Sequence, residues 1–355
     1  MIYYLNEILN LGEKRDAGGK APQDIYAILK RNDFSEIVID TPKPQGHVIK
    51  EILKYAVPIY ESLKKETSKL YKGDVFFFQY PDVGYNILFG NLLKKLRKKG
   101  VQTVALIHDL ESFRAAMSED QKMTVVQRGI CWKEKDILKN LDVVIGHNEI
   151  MNQKLKELTD AKLVSLGIFD YLIDDYDENR MNERTIEKDL PVIIAGNLSR
   201  TKSGYVYELP DNQEFNLFGI NYEDQKKNNV HYFGSFLPDD LPYNLTGSFG
   251  LVWDGPSSNS CDGIYGKYLM INNPHKTSLY LASGIPVVIW KKAALAQYVE
   301  KHKCGITIES LSDLKSAISS LTAEEYNELR RNAQKAGEKL RVGWHTMQAI
   351  QKTER

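Results

Sequence analysis

The stretch NPHKTSLYLASGIPVVIW, residues 273 to 290, puts a lysine where helix physics favours a carboxylate. Asn273 suits a helix N-cap, Pro274 its first turn and Gly284 its close, so the spacing predicts Lys276 in the first turn, beside the positive end of the helix dipole. A phosphate group bound to the free N–H groups of that turn would explain the lysine, with His275 and Thr277 beside it as further donor-binding residues. A solvated lysine and a lysine in a structural ion pair are the alternatives.

A second cationic loop follows a buried strand in PVIIAGNLSRTKS, residues 191 to 203. Asn197, Arg200 and Lys202 sit just past the strand, the usual place for a nucleotide phosphate in a doubly wound α/β sheet; a polar surface turn is the plain alternative. Asp254 ends the run FGLVWD in the same half. Neither G-x-x-x-x-G-K-[ST] nor a G-x-G-x-x-G after a strand is present, so a P-loop kinase and a dehydrogenase are unsupported.

In the first half, IHDLESF, residues 107 to 113, offers Asp109 or His108 as a general base; alternatively Asp109 caps the next helix and His108 is a rim residue. Gln79 and Tyr80 end another strand. In KRDAGGKAPQDI, residues 14 to 25, Asp16, Gly18, Gly19 and Lys20 form an acceptor-side loop or a tight turn. Of the acidic groups, DDYD (174 to 177) lies in the charged connector with no strand running into it, and the pair in PDDLP (238 to 242) lacks a partner at D-x-D spacing, so no metal-bound diphosphate site is expected.

Alternating apolar runs and helical stretches must position these groups. EIVID, DVFFFQ, QTVALIHD and DVVIGHN define a first parallel α/β domain, over residues 1 to 169. The pattern restarts with LVSLGIF (163 to 169) and continues through PVIIAGN, FNLFGI, VHYFG, FGLVWD, IPVVIW and GITI, giving a second α/β domain over 170 to 330. The polar stretch 170 to 191 reads as an exposed connector, with the hinge near 170. Residues 323 to 352 read as a terminal helix pair, and 331 to 355 as packing back on the first domain. Two doubly wound domains make a crevice where the carboxyl ends of both sheets face each other.

Lys+Arg and Asp+Glu are both 47 in 355 residues, 42% of them hydrophobic. A zero net charge gives no general attraction to nucleic acid. The N-terminus has no signal-peptide pattern, no apolar run spans a membrane, and Cys131, Cys261 and Cys304 suggest reduced thiols, so the expected location is the cytoplasm. NLLKKLRKKG (91 to 100) is a basic amphipathic helix, either packed on a sheet or touching anionic lipid at the inner membrane face. A homo-oligomer is left open.

The segment from FGLVWDG through YGKYLMINNPHKTSLYLASGIPVVIWKKAALAQYVEKHKCGITIESLSDL, residues 249 to 314, resembles the donor-binding half of bacterial β-1,6-galactofuranosyltransferases, and DAGGKAPQDI resembles their N-terminal loop. A more distant resemblance runs to the glucosyltransferase of streptococcal serine-rich adhesins. The resemblance implies a GT-B fold of two Rossmann-like domains, a nucleotide-sugar donor, a glycan acceptor either free or lipid-linked, and no required metal or other cofactor. The paired glutamates of many retaining transferases would fall near Ile271 and Leu279, both apolar, which accords with an inverting mechanism. The function implied is transfer of galactofuranose from UDP-galactofuranose to a glycan hydroxyl; a glucosyltransferase acting on a glycoprotein and a non-catalytic nucleotide-sugar-binding subunit are the rivals.

Overall fold

The computed structural model describes residues 1–9, 19–41, 48–81, 88–118, 123–223 and 227–354. The first half runs β1 (Ile2–Leu9), α1 (Lys20–Arg31), β2 (Ser35–Thr41), α2 (Val48–Glu66), β3 (Val75–Tyr80), α3 (Phe89–Lys98), β4 (Gln102–Ile107), α4 (Glu111–Ala116), α5 (Val125–Lys139), β5 (Val143–Gly146), α6 (Glu149–Leu155) and β6 (Lys162–Ser165). The second runs α7 (Glu178–Asn182), β7 (Val192–Asn197), α8 (Arg200–Ser203), β8 (Phe215–Ile220), β9 (Val230–Tyr232), α9 (Leu241–Asn244), β10 (Gly250–Val252), α10 (Gly263–Tyr268), α11 (His275–Ala282), β11 (Val287–Trp290), α12 (Ala296–His302), β12 (Gly305–Ile308), α13 (Leu314–Ser319), α14 (Ala323–Arg341) and α15 (Trp344–Gln351).

The strands form two six-stranded parallel sheets, ordered β2-β1-β3-β4-β5-β6 and β12-β11-β10-β7-β8-β9. Every residue of β4 is buried, as expected for a parallel strand covered on both faces. Two strand assignments differ from the sequence reading. The N-terminal strand β1, absent from it, lies between β2 and β3 although Asn6 and Glu7 interrupt its apolar pattern. The run at 163 to 169 does not begin the second sheet: its strand β6 pairs with β5 at the edge of the first, Val143 opposite Lys162.

The connector also differs from its expected exposure. Tyr171, Leu172 and Ile173 are buried, because the chain threads between the halves before it turns polar. The terminal pair appears as α14 and α15. The first packs along α11, while Ala349 and Ile350 of α15 join the core beneath β1 and β4. Leu92, Leu93 and Leu96 of the basic helix α3 are committed to the core of the first half. Among the described residues, no helix is long and apolar enough to cross a membrane.

Candidate active site

The lysine at the start of α11 is neither solvated nor alone. Lys276 is the second residue of the helix, and its Nζ donates to the Trp253 carbonyl (2.9 Å) and to Asp254 Oδ1 (2.9 Å), with only 14% and 9% of the two side chains exposed. Asp254 is delivered by a tight turn after β10. Gly255 has φ +107°, and a Cβ there would lie 2.3 Å from the Asp262 carbonyl oxygen, so only glycine fits. The Thr277 hydroxyl and His275 Nδ1 are buried without a hydrogen-bond partner in this same turn. The Thr277 N–H donates to the Pro274 carbonyl (3.0 Å), and the other early N–H groups have no i−4 acceptor in the helix, so this turn holds unpaired polar groups next in sequence to the paired lysine.

The helix cap differs from expectation. The N-cap is Pro274, not Asn273. Asn273 instead ties the halves together: its N–H donates to His147 Nδ1 (2.9 Å), its Nδ2 to the carbonyls of His147 (2.6 Å) and Gly167 (3.1 Å), and its Oδ1 accepts from Asn148 Nδ2 (2.7 Å). Four long-range bonds, three of them from the side chain, outweigh one local cap, which is worth about 1 kcal/mol.

The loop after β7 places its groups differently from one another. Asn197 Oδ1 accepts from Ser199 N–H (3.0 Å) and fastens the turn. Its path depends on a close crossing, for a Cβ on Gly219 would meet the Gly196 carbonyl oxygen at 1.8 Å. Arg200 pairs with Glu223 (2.7 Å) and lies over the Tyr207 ring at 4.0 Å. Lys202 has no hydrogen bond or ion pair from its side chain among the described residues, and its charge acts on Asp109 across the crevice. The Lys202 carbonyl accepts from Gly255 N–H (3.1 Å), which joins this loop to that of Asp254.

On the facing rim, Asp109 does not cap α4. That helix begins two residues later and receives the buried Glu134 carboxylate, which accepts from Glu111 and Ser112 N–H (2.9 and 3.3 Å). Asp109 is left to pair with Arg114 (2.7 Å) and to accept from the Tyr268 hydroxyl of α10. Burial raises its pKa above the ordinary aspartate value, against the opposing pull of Arg114, Lys202 and the Tyr268 bond. Its side chain is still 37% exposed at the crevice.

His108 is not placed to exchange protons readily. Its Nε2 is 2.6 Å from Gln79 Oε1, its ring stacks on Phe169, and burial with His147 and His275 nearby lowers its pKa to about 3. Gln79 also donates to the Pro22 carbonyl, and Tyr80 is buried. Lys20 opens α1 almost wholly buried, paired with Asp24 (2.8 Å) and, across the halves, Asp239 (2.6 Å), so its charge is already matched. Gly19 is the N-cap of α1 with an ordinary negative φ. Asp16 and Gly18 lie outside the described residues.

Sequence reasoning missed Tyr268, Arg114 and Asn273 as an inter-domain tie; it placed His108 and His275 at the crevice without their packing around Phe169 together with His147. Only Arg114, five residues after Asp109, left a local signal. His147 is pushed down to about 4 by burial and is kept neutral, since its Nδ1 accepts from Asn273. Its folded pKa is depressed, so this contribution to stability is intact above the unfolded value of 6.5 and is lost as pH falls towards about 4. Asp24 and Asp170, raised by burial to about 6 and about 7, act in the opposite sense, so the test compares variants. Between about pH 7 and about pH 5 the wild type should lose about 2 kcal/mol relative to His147→Gln, read from urea midpoints. Parallel pH profiles for the two proteins would show that His147 is not held neutral.

Comparison with known proteins agrees with this architecture. The family model described as "Glucosyltransferase 3-like, N-terminal domain" matches residues 3–168, and "Glucosyltransferase 3-like, C-terminal domain" matches residues 192–353. The chain is 36% identical over 353 residues to the beta-1,6-galactofuranosyltransferase WbbI of Escherichia coli K12, covering 96% of this chain and 95% of that one. It is 24% identical to glucosyltransferase 3 of Streptococcus gordonii, over 91% and 92% of the two chains. The fold matches that of sucrose-phosphate synthase from Thermosynechococcus elongatus with a TM-score of 0.58 at 16% identity, covering 99% and 97% of the two chains. With both domain models matched in order and two parallel sheets meeting at the crevice, the chain belongs to the glucosyltransferase 3-like family and is a glycosyltransferase of the GT-B fold.

Proposed function

We propose that the enzyme transfers galactofuranose from UDP-galactofuranose, with inversion, to a sugar hydroxyl of a surface polysaccharide or glycan precursor. The sugar is inferred from the similarity to WbbI along nearly the whole chain. The observation that carries the mechanism is that the charge of Lys202 in the second half acts on Asp109 in the first and favours its ionised form, which would put a cation for the departing diphosphate within reach of a base for the attacking hydroxyl. Lys276 and the first turn of α11 would take the rest of the diphosphate charge. Arg200 would have to exchange Glu223 for phosphate to join them.

The rival donor is UDP-glucose, favoured by the family models and the streptococcal relative. Purified enzyme given UDP-galactofuranose, UDP-galactopyranose and UDP-glucose with a panel of glycosides separates them, the product linkage and anomeric configuration being read by NMR. Transfer from UDP-glucose alone, or an α-linked product, would overturn this reading.

The cations around the crevice lead to one further expectation. UDP should bind with equal affinity in excess chelator and in Mn²⁺, as measured by calorimetry. Affinity that disappears on chelation and returns with the metal would refute the proposal that lysines carry the diphosphate.

A further inference from the structure

Helix α5 carries large apolar side chains on the side away from the protein. Val125 is 76% exposed and Trp132 66%, with Val126 and Ile130 at 48% and 42%. At 3.6 residues per turn, Val125, Gly129 and Trp132 fall on one outward line, opposite the buried Glu134, Ile137 and Leu138. Scattered exposed apolar residues are ordinary, but four on two turns of one helix are not. A capping box between Thr124 and Gln127 fixes the start of this helix.

Charge indicates what covers the patch. Arg128, Lys135 and Lys139 flank the apolar line, and Lys98 of the neighbouring α3 is exposed as well. None of these four has an ion pair among the described residues. The acidic residues of α5 are occupied, Glu134 in capping α4 and Asp136 in pairing with Lys94 (3.1 Å). A second copy docked on the same face would bring like charges together. An anionic bilayer instead accepts the apolar side chains at its interface and the cations at its headgroups.

We propose that the outward face of α5, with Trp132 at its centre, docks on an anionic phospholipid membrane. The sequence pointed instead to α3, but its leucines are spent on the core, so α3 supplies charge while α5 supplies the inserting groups. Docking would also orient the enzyme. Gln127 Nε2 donates to Glu111 Oε1 (3.1 Å), which holds α5 against the helix that follows Asp109, so the acceptor rim would lie beside the bilayer.

The test is flotation of the full chain with vesicles of phosphatidylglycerol and phosphatidylcholine in equal parts, against phosphatidylcholine alone. The wild type should partition at least about tenfold more strongly to the anionic vesicles, and salt should weaken it. Val125→Ser with Trp132→Ser should lower that partition about tenfold or more, as should Arg128→Glu with Lys135→Glu. Circular dichroism and UDP affinity, both expected unchanged, would show that the variants are folded, so a failed donor assay and a failed docking assay are separate results. Equal partition to both vesicle types, or unaltered partition of the variants, would overturn the proposal. So would light scattering that shows a wild-type dimer which the serine variant dissociates, since the face would then be an interface between copies.

Discussion

Lys276→Ala should destabilise the unliganded enzyme by about 3 kcal/mol, because it leaves the Asp254 carboxylate almost buried with no cation beside it. The local helix argument predicts the opposite sign, since removing a cation from a helix N-terminus relieves repulsion worth a few tenths of a kcal/mol. The burial effect is about ten times larger and decides the outcome. Asp254→Asn in the same background should recover part of the loss, as the surviving side chain then carries no charge. UDP affinity measured on the same variants answers a different question. If Lys276 also binds the diphosphate, Lys276→Ala should weaken UDP by a further 1.5 to 3 kcal/mol, roughly the range for a hydrogen bond to a charged group. A stability loss with full UDP affinity would make the lysine a structural ion-pair member only, holding Asp254 and the Trp253 carbonyl in place.

Much of the scaffold was legible because parallel strands buried on both faces are written as apolar runs. VFFFQY and QTVALI could hardly be anything else. β1 escaped notice because Asn6 and Glu7 break its run, and β6 because hydrophobicity marks a strand without saying which sheet it joins. The site was legible only as a set of strand ends and helix starts. Its working pairs lie far apart in sequence: Asn148 meets Asn273 across 125 residues, and Lys20 meets Asp239 across 219. Local propensity made Asn273 a cap and Asp109 another, and both were redirected by partners that no periodicity encodes. Lys276 drew attention for a sound reason, an unfavourable charge at a helix start, but its partner Asp254 arrives from a loop 22 residues earlier.

Asp109→Asn should lower transfer about 10²- to 10⁴-fold while leaving UDP binding intact, the loss typical of removing a general base. Asparagine keeps the size of the side chain and an oxygen to accept from the Tyr268 hydroxyl, so the rim should hold its shape. The charge facing Lys202 disappears, which favours an anionic donor if it changes affinity at all. The pH profile supplies the independent check. Burial holds the Asp109 pKa above the ordinary aspartate value, and the base works only when ionised, so kcat/KM should fall on the acid side through a pKa higher than that of a solvated aspartate. Arg114 pulls in the other direction at 2.7 Å, favouring the carboxylate. Arg114→Gln should therefore move the acid limb to higher pH, with most of the rate retained at alkaline pH where Asp109 is ionised regardless. A structural role for the pair would lower the rate at all pH values alike and leave the limb where it was. Undiminished transfer by Asp109→Asn would place the base elsewhere on the rim, and loss of UDP binding in the same variant would mean that the carboxylate holds the crevice together rather than taking a proton.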